Sequence, residues 1–306
     1  DLDTLPFPDR ALVYERDPVT ARSKIKHFLA GRGCPYNCTY CCNQILRSIY
    51  PNRKHWLRTR SPQNAILYLR ALKEHYPAAR YLRINDDIFH WDEDWLEEFG
   101  RLYRAEFSMP LAVHHRPNIF SERAARLLRE LGCYQIYFGV ESGNEYIRND
   151  VLRRHMSNAQ IEQAFAYAHR AGMITTAYNM VGLPHENMVR ALDTIKLNAR
   201  IGADRMLNPI FCPYRGTELY NLAVEQGFIP AGTGYEEEAV CSMPDYGPDK
   251  IQFVCANFKA FVGLYKSAYR LPAPLKARAE KLLDNIFLSQ RLPHRPLTTL
   301  AGARRQ

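Results

Sequence analysis

The sequence predicts an α/β protein, a partial (β/α)6 barrel of the TIM type with a helical C-terminal extension. Short apolar runs alternate with amphipathic helical segments, and this alternation recurs in six successive units, as expected of a parallel sheet with covering helices. The length of 306 residues is also close to the roughly 250 residues of a single barrel domain. The predicted strands are residues 26–30, 80–85, 110–114, 134–140, 173–181 and 204–211, and the predicted helices are residues 62–76, 92–106, 121–131, 157–171 and 187–201.

Capping residues mark the ends of these helices. Ser121 and Ser157 precede helical runs and are typical N-caps, whereas Gly132, Gly172 and Gly202 stand where helices are expected to stop. Six strands are two short of a closed eight-stranded barrel, so we expect an open barrel whose lateral side suits a large substrate. The predicted segments are a linker at residues 1–24, the barrel at residues 25–225, and a mainly helical extension with a basic tail at residues 226–306.

The composition is that of a globular protein. Hydrophobic residues make up 46% of the chain, and no apolar run reaches the roughly 18 residues expected of a membrane-spanning helix. The first ten residues lack the basic start and apolar middle of a signal peptide. We therefore expect a cytoplasmic protein.

The net charge of +9 is concentrated at the C-terminus. Residues 266–306 contain nine Lys or Arg against two acids, so +7 of the charge lies there. A solvated face is the plain interpretation, and attraction to an anionic membrane surface is the alternative, because the same stretch has an apolar side. Because the positive charge is confined to this one segment, it gives little support for nucleic-acid binding. The apolar side consists of Leu282, Leu283, Ile286, Phe287 and Leu288.

Three cysteines near the start of the chain carry the strongest chemical signal. Cys34, Cys38 and Cys41 lie within Gly-Arg-Gly-Cys-Pro-Tyr-Asn-Cys-Thr-Tyr-Cys, and three thiolates on one short loop indicate a metal site. Structural zinc requires a fourth ligand in a closed tetrahedron, and no second knuckle is present. A chain of this length without a secretory signal does not depend on disulfides. We therefore favour an iron–sulfur cluster with one iron that has no protein ligand.

With Tyr40 as the aromatic residue, the Cys-x-x-x-Cys-x-aromatic-Cys loop resembles the cluster loop of the radical S-adenosylmethionine (SAM) superfamily. The resemblance implies that Cys34, Cys38 and Cys41 hold a [4Fe–4S] cluster and that the remaining iron binds the methionyl part of SAM. It implies that one electron from the cluster cleaves the sulfonium bond and gives a 5′-deoxyadenosyl radical. An electron donor such as a flavodoxin or ferredoxin is implied as a partner, and Tyr40 is a cofactor-binding candidate.

Polar residues follow the second and third predicted strands, where barrel enzymes place functional groups. Asp86 and Asp87 resemble the family's acidic motif, which accepts hydrogen bonds from the ammonium group of SAM. Strand alternation does not decide which carboxylate faces inward, so both are candidates, and solvated loop acids are the alternative. In His114-His115-Arg116, Arg116 is a candidate anchor for a carboxylate or the substrate through its planar donor fork. Either histidine is a candidate proton donor on the substrate side, and we predict that His115 has this role.

The fourth strand ends in a further motif of the family. Phe-Gly-Val-Glu-Ser-Gly is similar to the Gly-x-Glu-Ser-Gly often found there, which implies that Glu141 and Ser142 contact the methionyl and ribose groups of SAM. A helix-capping turn would also explain the glycine and serine. Arg153 or Arg154 is expected to neutralise the cofactor carboxylate, and we predict that Arg153 is the one that does so.

The last two strand exits complete the candidate site. The stretch that begins at Gly182 is similar to the family's Gly-x-Pro-x-Glu, which implies that Gly182 lets the backbone approach adenine and that Val181 or Leu183 faces the ring. His185 stands where related proteins commonly have glycine. Cys212 follows the sixth strand, either as a buried inert thiol or as a hydrogen donor in the reaction.

Three functions remain open at this point. The opening proline-rich segment and Arg58-Thr59-Arg60-Ser61 resemble the cobalamin-associated branch of the family, although no cobalamin-binding domain precedes residue 1. The first hypothesis is a cobalamin-linked methyltransferase acting on an unactivated carbon of a small molecule, lipid or tetrapyrrole, with a cobalamin-binding domain or subunit as partner. The second is a cobalamin-independent cyclase, rearrangement or oxidation enzyme. The third is a non-enzymatic iron–sulfur or zinc protein that binds nucleic acid, which the ordered motifs at the strand exits argue against.

Overall fold

A six-stranded sheet organises the protein, whose structure is a computed structural model describing residues 1–50, 52, 56–89, 92–233 and 240–289. Its strands lie in the order β1-β4-β5-β6-β7-β8, and β2 pairs with β3 in a separate antiparallel ribbon. The pairs β1–β4, β4–β5, β5–β6 and β7–β8 are parallel. The strands are β1 (Ile25–Phe28), β2 (Gly31–Arg32), β3 (Arg58–Thr59), β4 (Tyr81–Ile84), β5 (Leu111–His115), β6 (Cys133–Glu141), β7 (Ile174–Asn179) and β8 (Arg205–Leu207).

Helices follow most of these strands along the chain, as the sequence predicts. A single turn of 3-10 helix at Pro117–Ile119 and a π-helical turn at Ile147–Val151 are additional. The α-helices are α1 (Ala11–Tyr14), α2 (Pro18–Arg22), α3 (Asn43–Ile49), α4 (Pro62–His75), α5 (Glu93–Glu106), α6 (Glu122–Glu130), α7 (Asn158–Arg170), α8 (Met188–Ile201), α9 (Glu218–Glu225), α10 (Pro248–Ala268) and α11 (Ala273–Leu288).

The predicted α/β order is confirmed, with small differences at the ends of elements. Ser121 caps α6 by accepting the N–H of Ala124, and Ser157 accepts the N–H of Gln160 at the start of α7. Gly202 ends α8 in the left-handed conformation at φ 66°, where glycine has no Cβ to clash. The two strands predicted at 173–181 and 204–211 are shorter, because only an isolated bridge continues them beyond β7 and β8.

The chain forms two compact units whose limits cut across the predicted segments. The first unit consists of Asp1–Pro35, Arg47–Phe138 and Ala166–Thr175, and the second of Tyr36–Leu46, Gly139–Phe165 and Thr176–Gln306. The cysteine loop is therefore divided, with Cys34 in the first unit and both Cys38 and Cys41 in the second.

The first unit has an apolar core under its strands. Leu82, Ile84, Val113 and Ile136 are at most 1% exposed, and α4, α5 and α6 pack in succession. The opening segment, predicted as a linker, contains α1 and α2 and is anchored to this unit. The carbonyl of Leu2, a residue 2% exposed, accepts a hydrogen bond of 2.8 Å from Arg60, and the Asp3 carboxylate accepts the N–H of Ser61 at 3.0 Å.

The second unit is built around three packed helices. Helix α10 packs on α8 and on α11, and their apolar side chains belong to one buried cluster with Val181, Leu183 and Phe211. The basic tail predicted at the C-terminus is described only as far as residue 289, so Arg291, Arg295, Arg304 and Arg305 lie outside the described residues. Among the residues that are described, no helix is long and apolar enough to cross a membrane.

Candidate active site

The first unit holds the start of the cysteine loop by its backbone. The carbonyl oxygen of Cys34 accepts hydrogen bonds from the Arg47 guanidinium at 2.7 Å and from the Trp56 indole N–H at 3.0 Å. Gly33 has φ 88°, and a Cβ at this position would lie 3.0 Å from the Trp56 ring. A glycine is therefore needed here both for the left-handed conformation and for the close approach of tryptophan.

Asp86 anchors the turn that leads out of β1. Its two carboxylate oxygens accept the backbone N–H groups of Ala30 at 2.9 Å and Gly31 at 2.8 Å. Burial raises the pKa of Asp86 to about 7, although these two hydrogen bonds oppose the shift. Asp87 is exposed at the same exit. Of the two predicted cofactor ligands, Asp86 thus has its oxygens engaged by the protein backbone, and Asp87 presents its carboxylate to solvent.

The two histidines at the end of β5 point to different sides of the strand, as alternation requires. His115 is 4% exposed and its ring packs edge-on against Phe120 at 5.0 Å. His114 stacks on Tyr137 at 4.8 Å, and burial together with the nearby Arg83 lowers the pKa of His114 to about 4. The predicted anchor Arg116 is 4% exposed and donates to the Asn118 side chain at 2.8 Å.

The second unit presents the other two cysteines on a tight turn. The N–H of Cys41 donates to the carbonyl of Cys38 at 3.1 Å. Between them, Thr39 is held on three sides: its hydroxyl donates to the Val151 carbonyl at 2.7 Å, its N–H donates to Leu152, and its carbonyl accepts from Leu219. This anchoring fixes the turn without using either thiol.

A buried arginine lies beside this turn. Arg154 is 5% exposed and donates to the Tyr40 hydroxyl at 2.5 Å and to the Gly139 carbonyl at 2.6 Å, and it pairs with the Glu141 carboxylate at 3.4 Å. Burial alone would lower the pKa of Arg154, but Tyr40, Glu141 and the Cys38 thiol raise it above its ordinary value. Burial raises the pKa of the Tyr40 hydroxyl, which stays protonated. The guanidinium is thus a permanent positive charge among these groups.

Glu141 and Ser142 are placed by an unusual backbone turn at the end of β6. Glu141 has φ 63°, a conformation that non-glycine residues seldom adopt. The Ser142 carbonyl accepts a hydrogen bond of 2.8 Å from Arg148, and the next N–H, that of Gly143, donates to Thr194 at 2.9 Å. The Glu-Ser-Gly motif is therefore a constrained turn held by tertiary hydrogen bonds.

Arg153 is placed apart from this buried group. Its side chain is 48% exposed and pairs with Glu218 at 2.5 Å. Arg153 itself has φ 52°, and this backbone reversal directs the next residue, Arg154, inward. A cavity of about 200 Å³ in this unit is lined by Arg153 and Glu218 together with Thr39, Tyr146 and His185, among others.

The turn after β7 is closed by Glu186. Its buried carboxylate accepts the N–H of Gly182 at 2.6 Å and that of Leu183 at 3.3 Å. Gly182 has φ 83°, and a Cβ there would lie 3.0 Å from the side chain of Ile251 on α10. Val181 and Leu183, predicted to face adenine, are 2% and 0% exposed within the apolar core. At least one face of this predicted adenine platform is therefore covered by protein.

His185 holds a backbone conformation that would suit glycine better. Its φ of 64° lies in the left-handed region, and its carbonyl accepts a hydrogen bond from the Arg190 guanidinium. The strained residue is thus retained by a tertiary contact.

The buried carboxyl of Glu186 predicts a pH-dependent stability. Burial raises its pKa to about 8, against the two backbone hydrogen bonds. A raised carboxyl pKa stabilises the folded state fully below the ordinary value of 4.5, and this contribution is lost as pH rises through about 8. We expect this decline in unfolding free energy, on the order of 5 kcal/mol between the two pKa values, to be largely absent in Glu186→Gln. Urea denaturation across this pH range measures it.

The matched control is Glu225→Gln, which changes an exposed carboxyl at the end of α9. This variant should keep the decline of the wild-type protein. An unchanged decline in Glu186→Gln would show that another group is responsible.

Cys212 is half-buried after β8, beside a second thiol. Burial, with a smaller contribution from Cys212, raises the pKa of the fully buried Cys241 to about 12. Cys241 is therefore a protonated core thiol, whereas Cys212 retains access to solvent.

The groups of the second unit fit an iron–sulfur cluster at the cysteine loop. None of the cysteines, all of which the structure describes, forms a disulfide, and Cys38 and Cys41 lie on a turn whose backbone is anchored elsewhere. The Arg154 cation interacts electrostatically with Cys38, so its positive charge would offset the negative charge of a cluster held by this cysteine. Within the described ranges, no three His, Cys, Asp or Glu side chains form a group suited to one metal ion. A [4Fe–4S] cluster instead takes each cysteine on a different iron.

Four residues with organising roles were not among the predicted site residues. Thr39 and Arg148 carry no signal of their own in the sequence, because their partners lie in distant or irregular segments. Glu186 is the glutamate of the Gly-x-Pro-x-Glu stretch, but the sequence does not show that its carboxylate closes the turn. The sequence offers Arg153 and Arg154 as alternatives, and the two become distinct only through the backbone conformation of the loop.

The profile of the Radical SAM superfamily matches residues 28–197, more than half of the sequence. The chain belongs to the radical SAM superfamily. Its members are enzymes, and the family's cofactors are a [4Fe–4S] cluster and SAM, as the cysteine loop predicts. The predicted α/β partial barrel agrees with this membership.

Two curated relatives are methyltransferases by name. An uncharacterized methyltransferase, PH0819, of Pyrococcus horikoshii is 25% identical over 75% of this chain and 48% of its own length. The cytidylyl-2-hydroxyethylphosphonate methyltransferase of Streptomyces wedmorensis is 23% identical over 75% of this chain and 45% of its own. The chain thus spans about half the length of these relatives.

A solved structure shares the fold. The radical SAM methyltransferase TsrM from Kitasatospora setae, solved with cobalamin and a [4Fe–4S] cluster bound, superposes with a TM-score of 0.56 at 18% identity, over 68% of this chain and 38% of TsrM.

Proposed function

We propose that this chain is the radical domain of a SAM-dependent methyltransferase that works with cobalamin. The observation that carries the proposal is the match of both methyltransferase relatives to three quarters of the chain. The fold shared with TsrM, which was solved with cobalamin bound, supports the choice of corrinoid. In this proposal a further domain or a partner subunit supplies the cobalamin, and a flavodoxin or ferredoxin supplies electrons.

The residues of the cysteine loop and of the Arg154 group have defined roles in this proposal. Cys34, Cys38 and Cys41 hold the cluster, and Tyr40 and Glu141 contact SAM. When bound, the reduced cluster and SAM supply one-electron chemistry that activates carbon atoms too weakly acidic for a general base. The protein itself compensates charge: Arg154 balances Glu141 and keeps the Tyr40 hydroxyl as an oriented, neutral dipole.

The remaining predicted residues are assigned by their surroundings. Asp87 is assigned to the SAM ammonium group because its carboxylate is exposed. Asp86 instead holds the turn after β1 through its two backbone hydrogen bonds. Cys212 keeps enough exposure to face a substrate. The substrate is proposed to be a small molecule, a lipid or a tetrapyrrole. We retain as further proposals Ser142, Arg153, Val181, Gly182 and Leu183 at the cofactor, and His115 and Arg116 on the substrate side.

Anaerobic reconstitution with iron and sulfide, followed by product analysis, tests this function. With a reductant and SAM, we expect methionine and 5′-deoxyadenosine from the reconstituted chain. Addition of cobalamin together with the domain or subunit that binds it should give S-adenosylhomocysteine as a further product, because methyl transfer to the corrinoid demethylates SAM. Iron-loaded protein that leaves SAM intact in both arms would contradict the proposed class of reaction.

A cobalamin-independent cyclase, rearrangement or oxidation enzyme is the second candidate. It predicts methionine and 5′-deoxyadenosine alone, with or without the corrinoid. That result would retain the radical SAM activity and reject the methyltransferase assignment.

A further inference from the structure

Helix α11 carries an apolar stripe that stays largely open to solvent in the described part of the chain. Leu275, Leu282 and Ile286 are 50%, 60% and 37% exposed. They are separated by seven and four residues, so they lie on one side of the helix. Leu271, just before the helix, is 41% exposed and continues the stripe by four residues. Clustered exposure of this kind differs from isolated surface leucines and marks an interaction surface.

The opposite side of α11 is fixed to the second unit. Phe287 is 1% exposed and packs edge-on against Phe261 of α10 at 4.9 Å. Both acids of the helix also face this side: Lys196 of α8 contacts Glu280 at 3.1 Å and Asp284 at 2.8 Å. The negative charges of α11 are therefore paired within the protein, and the orientation of the helix is set by packing.

Cations remain on the outer side and at the start of the helix. Arg278 and Lys281 are exposed on α11. Because its two acids are paired inward, the outer surface of this helix combines leucines with positive charge alone.

A basic cavity adjoins the N-terminal end of the same helix. It has a volume of about 380 Å³, and the residues that line it include four cations and no acid. Lys266 donates to the Ala203 carbonyl at 2.8 Å, and the ammonium group of Lys276 lies 4.9 Å from the centre of the Tyr269 ring. The four cations of the cavity are Arg200, Lys266, Arg270 and Lys276.

We propose that α11 and this basic cavity form a docking surface for an anionic phospholipid membrane. The leucine stripe enters the interface between headgroups and acyl chains, and the cations of the helix and the cavity bind headgroup phosphates. Charge complementarity favours a membrane as the partner. The leucines of α11 match the apolar acyl chains, and the cations that flank them match the anionic headgroups. This inference is independent of the methyltransferase assignment.

Cosedimentation of the full 306-residue chain with vesicles tests the inference. We expect binding to phosphatidylcholine vesicles that contain phosphatidylglycerol to be at least about tenfold tighter than binding to pure phosphatidylcholine vesicles. Added salt should weaken it, because the Debye length shortens. The double variants Leu282→Gln/Ile286→Gln and Lys276→Glu/Lys281→Glu should each lose about tenfold in affinity for the anionic vesicles.

Two matched controls keep the experiment decisive. Val189→Gln changes an exposed apolar residue of α8, and Lys259→Glu reverses an exposed cation of α10; both should bind vesicles like the wild type. Circular dichroism melting of every variant confirms folding. Equal binding to both kinds of vesicle, or binding unchanged in both double variants, would overturn the proposal. So would concentration-dependent dimerisation abolished by Leu282→Gln/Ile286→Gln, which would assign the stripe to a second copy of the chain.

Discussion

Replacement of Cys38 by alanine is expected to remove the iron–sulfur cluster and with it the cleavage of SAM. The Cys38 thiol is 7% exposed, on a turn held by Thr39, with the Arg154 cation nearby, so neighbouring groups cannot easily replace it as a ligand. Loss of an outer-shell partner typically costs 10- to 100-fold, and we expect loss of a direct ligand to lower the rate of SAM cleavage by more than about a hundredfold. Iron content, visible absorbance and 5′-deoxyadenosine yield after anaerobic reconstitution measure it.

The adjacent Cys42 provides the control, because it is exposed and lies outside the three-cysteine spacing. Cys42→Ala should retain iron and activity near the wild-type level. If Cys34→Ala, Cys38→Ala and Cys41→Ala all kept wild-type iron and SAM cleavage, the assignment of the loop as the cluster site would be wrong.

Replacement of Arg148 by alanine is expected to produce a large loss of stability. The side chain is 0% exposed and donates to the carbonyls of Met156 at 2.9 Å and Ser142 at 2.8 Å, and to the Asn158 amide oxygen at 2.8 Å. Burial lowers its pKa to about 10, so it stays charged near neutrality. Alanine would leave these acceptors buried without a donor, and we expect the unfolding free energy to fall by about 3–5 kcal/mol. Urea denaturation followed by circular dichroism measures the change.

Arg153 offers a control from the same loop. Its single described ion pair, with Glu218, joins two side chains that are each about half exposed, and such pairs contribute about 0–1 kcal/mol. Arg153→Ala should therefore change stability by no more than about 1 kcal/mol. A loss in Arg148→Ala no greater than that in Arg153→Ala would contradict the organising role of Arg148.

The order of strands and helices could be predicted because it depends on local periodicity. The residues of β5 form a short, mainly apolar run, and the residues of α8 have apolar side chains at helical spacing. Caps such as Ser121 act within three or four residues, so their role is also readable from the sequence. The folded opening segment was not predicted, because its anchors, Arg60 and Ser61, lie more than fifty residues away.

Pairs of adjacent candidates could not be separated from the sequence. Asp86 and Asp87 are alike in chemistry, and only the approach of the turn after β1 engages one and leaves the other exposed. Likewise the left-handed conformation of Arg153 sends Arg154 inward to Tyr40 and Glu141. In both cases long-range packing chooses between neighbours that a local pattern treats equally.

Cysteine spacing and the order of the strand-exit motifs were sufficient to establish the family and its cofactors, because ligand chemistry and periodicity are encoded over a few consecutive residues. Tertiary structure alone decided which polar groups are buried and paired. It joined Arg154 to Tyr40 and turned the acids of α11 toward Lys196. These pairings depend on contacts between segments distant in sequence, where burial makes each unpaired charge or hydrogen-bonding group costly and so selects one arrangement.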